Sequence, residues 1–193
     1  IKNLAMASSS SVYGNCKEAP FREDMIVDYA ISPYAATKKA NEVMAHVYHH
    51  LFDMNIIMLR FFTVYGPKQR PDLAINKFTR LMLEDKEIPM FGDGSASRDY
   101  TYVDDIVEGV YRVMQVSPGE KIGEDGLPVA PYKIYNIGNN HPENLIDFVT
   151  ILQEELVRAG VLQKDYDFEA HKELLPMQAG DVPVTYADTS ELE

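Results

Sequence analysis

The chain has 193 residues, 46 % of them apolar and 10 % aromatic, enough to bury one domain's core and too apolar for a disordered segment. A formal net charge of −12 argues against nucleic-acid and anionic-membrane partners, which select basic patches. The single cysteine, Cys16, excludes an internal disulfide and fits a reducing, cytoplasmic setting, and no apolar run is long enough to span a bilayer.

In chain order, the pattern predicts a strand over 2–8 that ends in a serine run, Ser8-Ser9-Ser10-Ser11, followed by Val12-Tyr13-Gly14. Residues 15–32 carry Pro20 and a cluster of charges and read as a surface loop. Pro33 suits the first turn of a helix reaching about Phe52. Its apolar stripe is Ala40, Val43, Met44, Val47, Tyr48, Leu51 and Phe52, facing a sheet or, in part, a second subunit. Asn55 to Phe62 is a run typical of a buried parallel strand. An amphipathic helix is predicted over 73–86, with Ile75, Phe78, Leu81 and Met82 inward. A short strand follows at Ile88–Phe91, closed by Gly92-Asp93-Gly94. A helix over 103–116 should point Ile106, Val107, Val110 and Met114 inward. The Pro- and Gly-rich stretch 117–131 reads as a long loop, and Lys133–Ile137 as a strand. A helix over Asn144–Ala159 should stop at Gly160, and 165–193 reads as a short strand and then extended chain.

Two residues of the first helix carry chemistry. Tyr34 and Lys38 stand four apart and so share one helix face. Free tyrosine is a poor base at neutral pH, with a midpoint near ~10. An adjacent ammonium favours the ionised phenol, which can then take a proton from an alcohol while hydride leaves the carbon. Ser9 lies 25 residues upstream of Tyr34. If the strand continues through the serine run, Ser9 and Ser11 share a face and Ser8 and Ser10 point the other way. The histidines at 46, 49, 50, 141 and 171 lack metal-ligand spacing, so no metal is expected and they read as surface or satisfied side chains.

The order of these motifs resembles the extended short-chain dehydrogenases/reductases, the NAD-dependent epimerase/dehydratase family. The matching stretches are the Ser-Ser-Val-Tyr-Gly strand end, the Tyr-x-x-x-Lys helix, Leu59-Arg60-Phe61-Phe62-Thr63-Val64-Tyr65-Gly66-Pro67, Ser97-Arg98-Asp99-Tyr100-Thr101-Tyr102, Tyr135-Asn136-Ile137-Gly138 and the segment around Asp181. The resemblance implies an α/β fold: the C-terminal part of a Rossmann-like doubly wound parallel sheet plus a small mixed α/β substrate-binding domain. It assigns 1–72 to the second half of the NAD-binding domain and 73–102 with 160–193 to the substrate region. Residues 103–159 would then return to the NAD-binding domain.

The resemblance further implies catalytic roles for Tyr34, Lys38, Ser9 and Ser11. It assigns NAD contacts to Tyr34, Lys38, Phe61 and Phe62, with core packing the alternative for the two phenylalanines. Thr63, Arg70, Arg98 and Asp181 become substrate contacts: Arg70 for a phosphate or a C6 carboxylate, Arg98 for the pyrophosphate, Asp181 for the uridine ribose. The alternative for Arg98 is a surface ion pair with Asp99 or Asp104. Thr63 stands where many members have Asn, and Gln178 where many UDP-hexose epimerases have Arg. Both departures fit the glucuronate-type 4-epimerases. Dehydratases place Asp-Glu, and decarboxylases a Glu, where this chain has Ser10 and Ser11. The resemblance also implies a homodimer. No Gly-rich strand-turn-helix occurs here, so the chain reads as a fragment lacking the family's N-terminal half and its last helices. The alternatives are an inactive dimerisation or nucleotide-binding module and a related nucleotide-sugar dehydratase.

Overall fold

The computed structural model describes residues 3–116, 118, 121, 122, 126, 128, 129, 132–177 and 181–193. Strand β1 (Asn3–Ser9) passes into a 3-10 turn over Ser10–Tyr13, then α1 (Pro33–Phe52), β2 (Asn55–Phe61) and β3 (Thr63–Tyr65). Next come α2 (Ala74–Leu83), β4 (Ile88–Phe91), β5 (Ser97–Tyr102) and α3 (Val103–Gln115). The two-residue strands β6 (Lys121–Ile122) and β7 (Pro128–Val129) precede β8 (Tyr132–Ile137) and β9 (Pro142–Asn144). The series closes with α4 (Leu145–Arg158), α5 (Phe168–His171), β10 (Lys172–Leu175) and β11 (Val184–Thr185). The chain forms two compact units: Ile1–Val64, Asp99–His141 and Thr185–Glu193 make the first, Tyr65–Arg98 and Pro142–Val184 the second.

The first unit is built on the parallel sheet β1-β2-β8, with β2 central. Because side chains alternate along a strand, β2 feeds two apolar layers. Ile56 and Met58 join Leu4, Met6, Ile134 and Ala45 of α1, while Ile57 and Leu59 join Ile137 and Ile106 and Val113 of α3. Helices covering both faces of a parallel sheet make this a Rossmann-like α/β layer.

Helix α1 begins where the sequence places it. Ser32 caps it by accepting from the Ala35 N–H at 3.1 Å, Pro33 fills the first turn, and Asp53 ends it in the left-handed region at φ 49°. Its faces are inverted relative to a simple amphipathic helix. Ala35, Glu42, Ala45 and His49 are buried, whereas Val43, Met44, Val47, Tyr48, Leu51 and Phe52 are 43–64 % exposed. The apolar stripe therefore does not face this unit's sheet.

The second unit pairs β4 with β10 in parallel. Its core is Phe78 and Met82 of α2, Ile88 and Met90 of β4, Val149 of α4 and Phe168 of α5. Asn144 caps α4 by accepting from the Ile146 N–H at 2.8 Å, and Gly160, at φ +73°, closes its C-terminus by donating to the Val157 carbonyl.

Four expectations change. The first strand ends in the serine run as expected, but Ser9 and Ser11 are not related by strand alternation, because Ser9 caps a 3-10 turn. Stretch 117–131 is not wholly loop: among its described residues, Lys121–Ile122 pairs antiparallel with Pro128–Val129. Within 165–193, Phe168 buries itself in the core and the residues after it turn through α5 before β10. On α3, Ile106 and Val110 meet the core as expected and Val113 joins them, whereas Val107 and Met114, also expected inward, are exposed.

Candidate active site

Ser9 is both the last residue of β1 and the cap of the following turn. Its Oγ accepts from the Ser11 N–H and donates to the Ser11 Oγ, each at 3.2 Å. The two hydroxyls thus meet through a helical turn, not through alternation along a pleat. That leaves the Ser11 hydroxyl its own hydrogen to donate outward. The turn closes at Gly14, where φ is +57° and a Cβ would lie 2.6 Å from the Tyr29 carbonyl oxygen; only glycine fits.

Tyr34 and Lys38 occupy the first turns of α1. The Lys38 Nζ lies 5.7 Å from the centre of the Tyr34 ring and donates to the Ala7 carbonyl oxygen at 3.1 Å. Lysine is therefore tied to β1 two residues before Ser9, and two of its three N–H donors remain for a ligand. Tyr34 is 54 % exposed, so its hydroxyl is available to a substrate.

Beneath this lies a polar layer the sequence reading did not anticipate. The sheet register aligns Ser8, Arg60 and Asn136 on adjacent strands. They continue the rows Leu4, Met6 and Ile56, Met58 and Ile134, so they point toward α1 at the carboxyl end of the sheet. Arg60 and Glu42 are 1 % and 2 % exposed and form a two-pronged pair, Nε to Oε1 at 2.8 Å and Nη2 to Oε2 at 2.9 Å. Ser8 donates to Glu42 Oε1 at 2.6 Å. Arg60 Nη1 donates to the Tyr13 hydroxyl at 3.0 Å, and that hydroxyl donates to Asn136 Oδ1 at 2.7 Å. Burial alone would raise the Glu42 carboxyl, but the Arg60 guanidinium and the Ser8 hydroxyl hold it below the usual carboxylate range. The signal was present in the sequence: an arginine inside a run that otherwise reads as buried strand.

Asp99 forms a second buried carboxylate centre in this unit. It accepts from the backbone N–H groups of Asn139 at 2.6 Å, Asn140 at 3.1 Å and Ala187 at 2.9 Å. It therefore is not the partner of Arg98.

Phe62 is 6 % exposed and packs with Tyr13 and Phe21, leaving little ring for a ligand; Phe61 lies half-buried beside Ile57 and Leu59. Thr63 opens β3, half-buried. In the second unit, Arg98 Nη2 meets Asp181 Oδ1 at 2.5 Å, and Arg98 Nη1 donates to the Ser97 and Pro183 carbonyls. Arg70 is largely exposed and forks onto Asp72, at 3.0 and 2.6 Å. Gln178 lies outside the described residues.

The NAD dependent epimerase/dehydratase family matches residues 1–138. The chain belongs to that family. Protein CapI of Staphylococcus aureus is 46 % identical over the whole chain, which covers 56 % of that protein. A probable UDP-glucuronate 4-epimerase of Rhizobium meliloti is 39 % identical, with 100 % of this chain and 55 % of the relative covered. Among solved structures, UDP-glucuronic acid 4-epimerase from Bacillus cereus, in complex with UDP-glucuronic acid and NAD, superposes with a TM-score of 0.80. It is 34 % identical, with 98 % of this chain and 54 % of that one covered. The chain thus spans about half the length of the relatives it matches. The family is NAD-dependent, and no helix among the described residues is long and apolar enough to cross a membrane.

Proposed function

We propose that this chain is the C-terminal part of an NAD-dependent UDP-sugar 4-epimerase, acting on UDP-glucuronate or UDP-glucose and working as a cytoplasmic homodimer. What supports the reading is the bond from Lys38, one turn after Tyr34 on α1, to the carbonyl of Ala7, two residues before the Ser9–Ser11 hydroxyl pair. Likeness to UDP-glucuronate 4-epimerases supports the substrate class. Tyr34 takes the proton from the sugar O4 and later returns it. The Ser9 and Ser11 hydroxyls hold that oxygen by hydrogen bonds. Lys38 favours the phenolate and offers its remaining donors to the cofactor ribose, a fit that supports NAD at this site. NAD, when bound, supplies the hydride acceptor and donor at C4. Serines at 10 and 11 give no acid for eliminating water across C5–C6, which favours epimerase over dehydratase.

In the second unit, the mutual bond between Arg98 and Asp181 would hold a phosphate-binding guanidinium and a ribose-binding carboxylate in fixed relation. The outward stripe of α1 is the proposed dimer face. By itself, without a Gly-rich turn, the chain should be inactive and bind NAD no tighter than millimolar, as calorimetry would read. In a longer enzyme that carries this chain after a Gly-rich strand-turn-helix, Tyr34→Phe should lower turnover of UDP-glucuronate by ~10²–10⁴-fold. Near wild-type turnover in that variant would overturn the assignment.

A further inference from the structure

We infer that Glu42 and Arg60 are positioning residues, which together set the Tyr34/Lys38 helix against the serine turn. The inference rests on the reading of Tyr34 as the proton carrier. Its ground is the polar row across β1, β2 and β8. Two rows of the same face, Leu4 with Ile56 and Met6 with Met58 and Ile134, are apolar and pack on Ala45. One step further along the strands, the row becomes Ser8, Arg60 and Asn136. Packing apolar side chains there would hold the helix equally well. What the polar row adds is direction. A guanidinium fork on a carboxylate fixes distance and plane together, whereas apolar contact tolerates sliding.

The connections lead to the proposed chemistry from both sides. Glu42 stands one helical turn after Lys38, so its grip fixes the rotation of the face that carries Tyr34 and Lys38. The same carboxylate holds Ser8, the residue before Ser9. The same guanidinium holds the hydroxyl of Tyr13, the last residue of the serine turn, with its charge 4.9 Å above the Tyr13 ring. Lys39, at 3.8 Å from Glu42 Oε2, is a further charge facing the pair. One ion pair therefore fastens the helix and both ends of the serine turn to the same three strands. Both members are buried, at 1 % and 2 % exposure.

A test must separate direction from mere stability. Glu42→Leu with Arg60→Met replaces the pair by apolar side chains of similar bulk, an exchange that is often neutral or stabilising. If the pair positions, this double variant keeps its Tm, keeps KM for UDP-glucuronate within a few-fold, and loses about 10²-fold in kcat. That is the loss a ~1 Å misplacement can cause. In this chain, without cofactor or substrate, hydrogen exchange should quicken in 8–14 and 33–41 and stay unchanged elsewhere. Wild-type kcat together with unchanged exchange in those segments overturns the inference. Should the double variant not fold, Arg60→Lys keeps the charge and removes the fork. A fall in kcat with unchanged KM, and faster exchange in the same segments, supports the proposal; wild-type behaviour in both overturns it. Absence of turnover in the wild-type enzyme would sink the functional reading only, and the exchange measurement would still decide the role of the pair.

Discussion

The two units hold their parts in place by different means. In the second, Phe78, Met82, Ile88, Met90, Val149 and Phe168 make a wholly apolar core, and the charged groups stay near the surface. In the first, apolar layers on both faces of the sheet give way, at the end nearest the serine turn, to Glu42, Arg60, Ser8, Tyr13 and Asn136. Apolar packing degrades gradually as atoms are removed, because each contact is small and non-directional. A buried charge pair behaves as a unit, because removing one member leaves the other uncompensated. The unit that carries the proposed chemistry is the one with directional bonds in its interior.

The sharpest way to break this contrast is truncation. Glu42→Ala leaves Arg60 buried without its counter-charge and should cost about 3–5 kcal/mol. Met90→Ala, in the apolar core, should cost about 2–5 kcal/mol. The distinction then appears in the repair: an apolar residue opposite Glu42→Leu recovers most of the loss, whereas Met90→Leu alone should cost under ~1.5 kcal/mol. Urea unfolding reads all four, and graded losses at the ion pair would contradict the comparison.

Asp99 offers a second test within the first unit. A Cβ on Gly138 would stand 2.7 Å from Asp99 Oδ2 and 2.8 Å from the Ala187 Cβ, both parts of a closed contact. Gly138→Ala should therefore destabilise by about 1–3 kcal/mol in thermal unfolding. Gly109→Ala, where a Cβ would meet no described atom within 4 Å beyond the backbone of its own helix and its chain neighbours, should be neutral or slightly stabilising, since it sits inside α3.

Arg70 sharpens the substrate side. Its Nε and Nη2 are forked onto Asp72, so a two-pronged contact with a substrate carboxylate through those donors would have to displace that pairing. If it reads the C6 carboxylate, Arg70→Ala should lower kcat/KM for UDP-glucuronate roughly ten- to hundredfold more than for UDP-glucose, the range of a charge-assisted contact. Equal losses on both sugars would assign Arg70 to the phosphates.

The smallest effect lies in acid. Because Glu42 is held below the usual carboxylate range in the folded state, its contribution is fully present above its unfolded value of ~4.3. It fades as pH falls from there through the lower folded value. Replacing the pair with Leu and Met should flatten the stability curve in that window, as urea midpoints taken from pH 7 downward would show.

Much of this was legible from residues alone. The strand at Asn55, the helix starting at Pro33, the strand at Ile88–Phe91 and the stop at Gly160 all follow from local rules: apolar runs, proline in a first turn, glycine after a last one. Tyr34 with Lys38 follows from helical spacing. Other features resisted for physical reasons. Ser9 changes the path of the chain by capping its own successor, a competition between strand and turn that a serine run does not resolve. Val107 and Met114 were misplaced because each is apolar but follows a core residue, Ile106 or Val113, and so stands about 100° away around the helix. The partner of Arg98 proved to be Asp181, far along the chain, and not its sequence neighbours Asp99 and Asp104.

By itself, then, the sequence determined the longer helices, the strands at Asn55, Ile88 and Lys133 and the α/β class, because these depend on periods of two and 3.6 and on a few turn-specific side chains. The tertiary structure alone decided which charges are buried and whom they hold. Ser8, Arg60 and Asn136 become one row only when three distant strands adopt a single parallel register, and Glu42 completes it only when α1 turns its polar face inward. No local rule encodes that register. It is fixed by the apolar rows beneath it, since a slip of one residue would turn every one of those side chains to the opposite face.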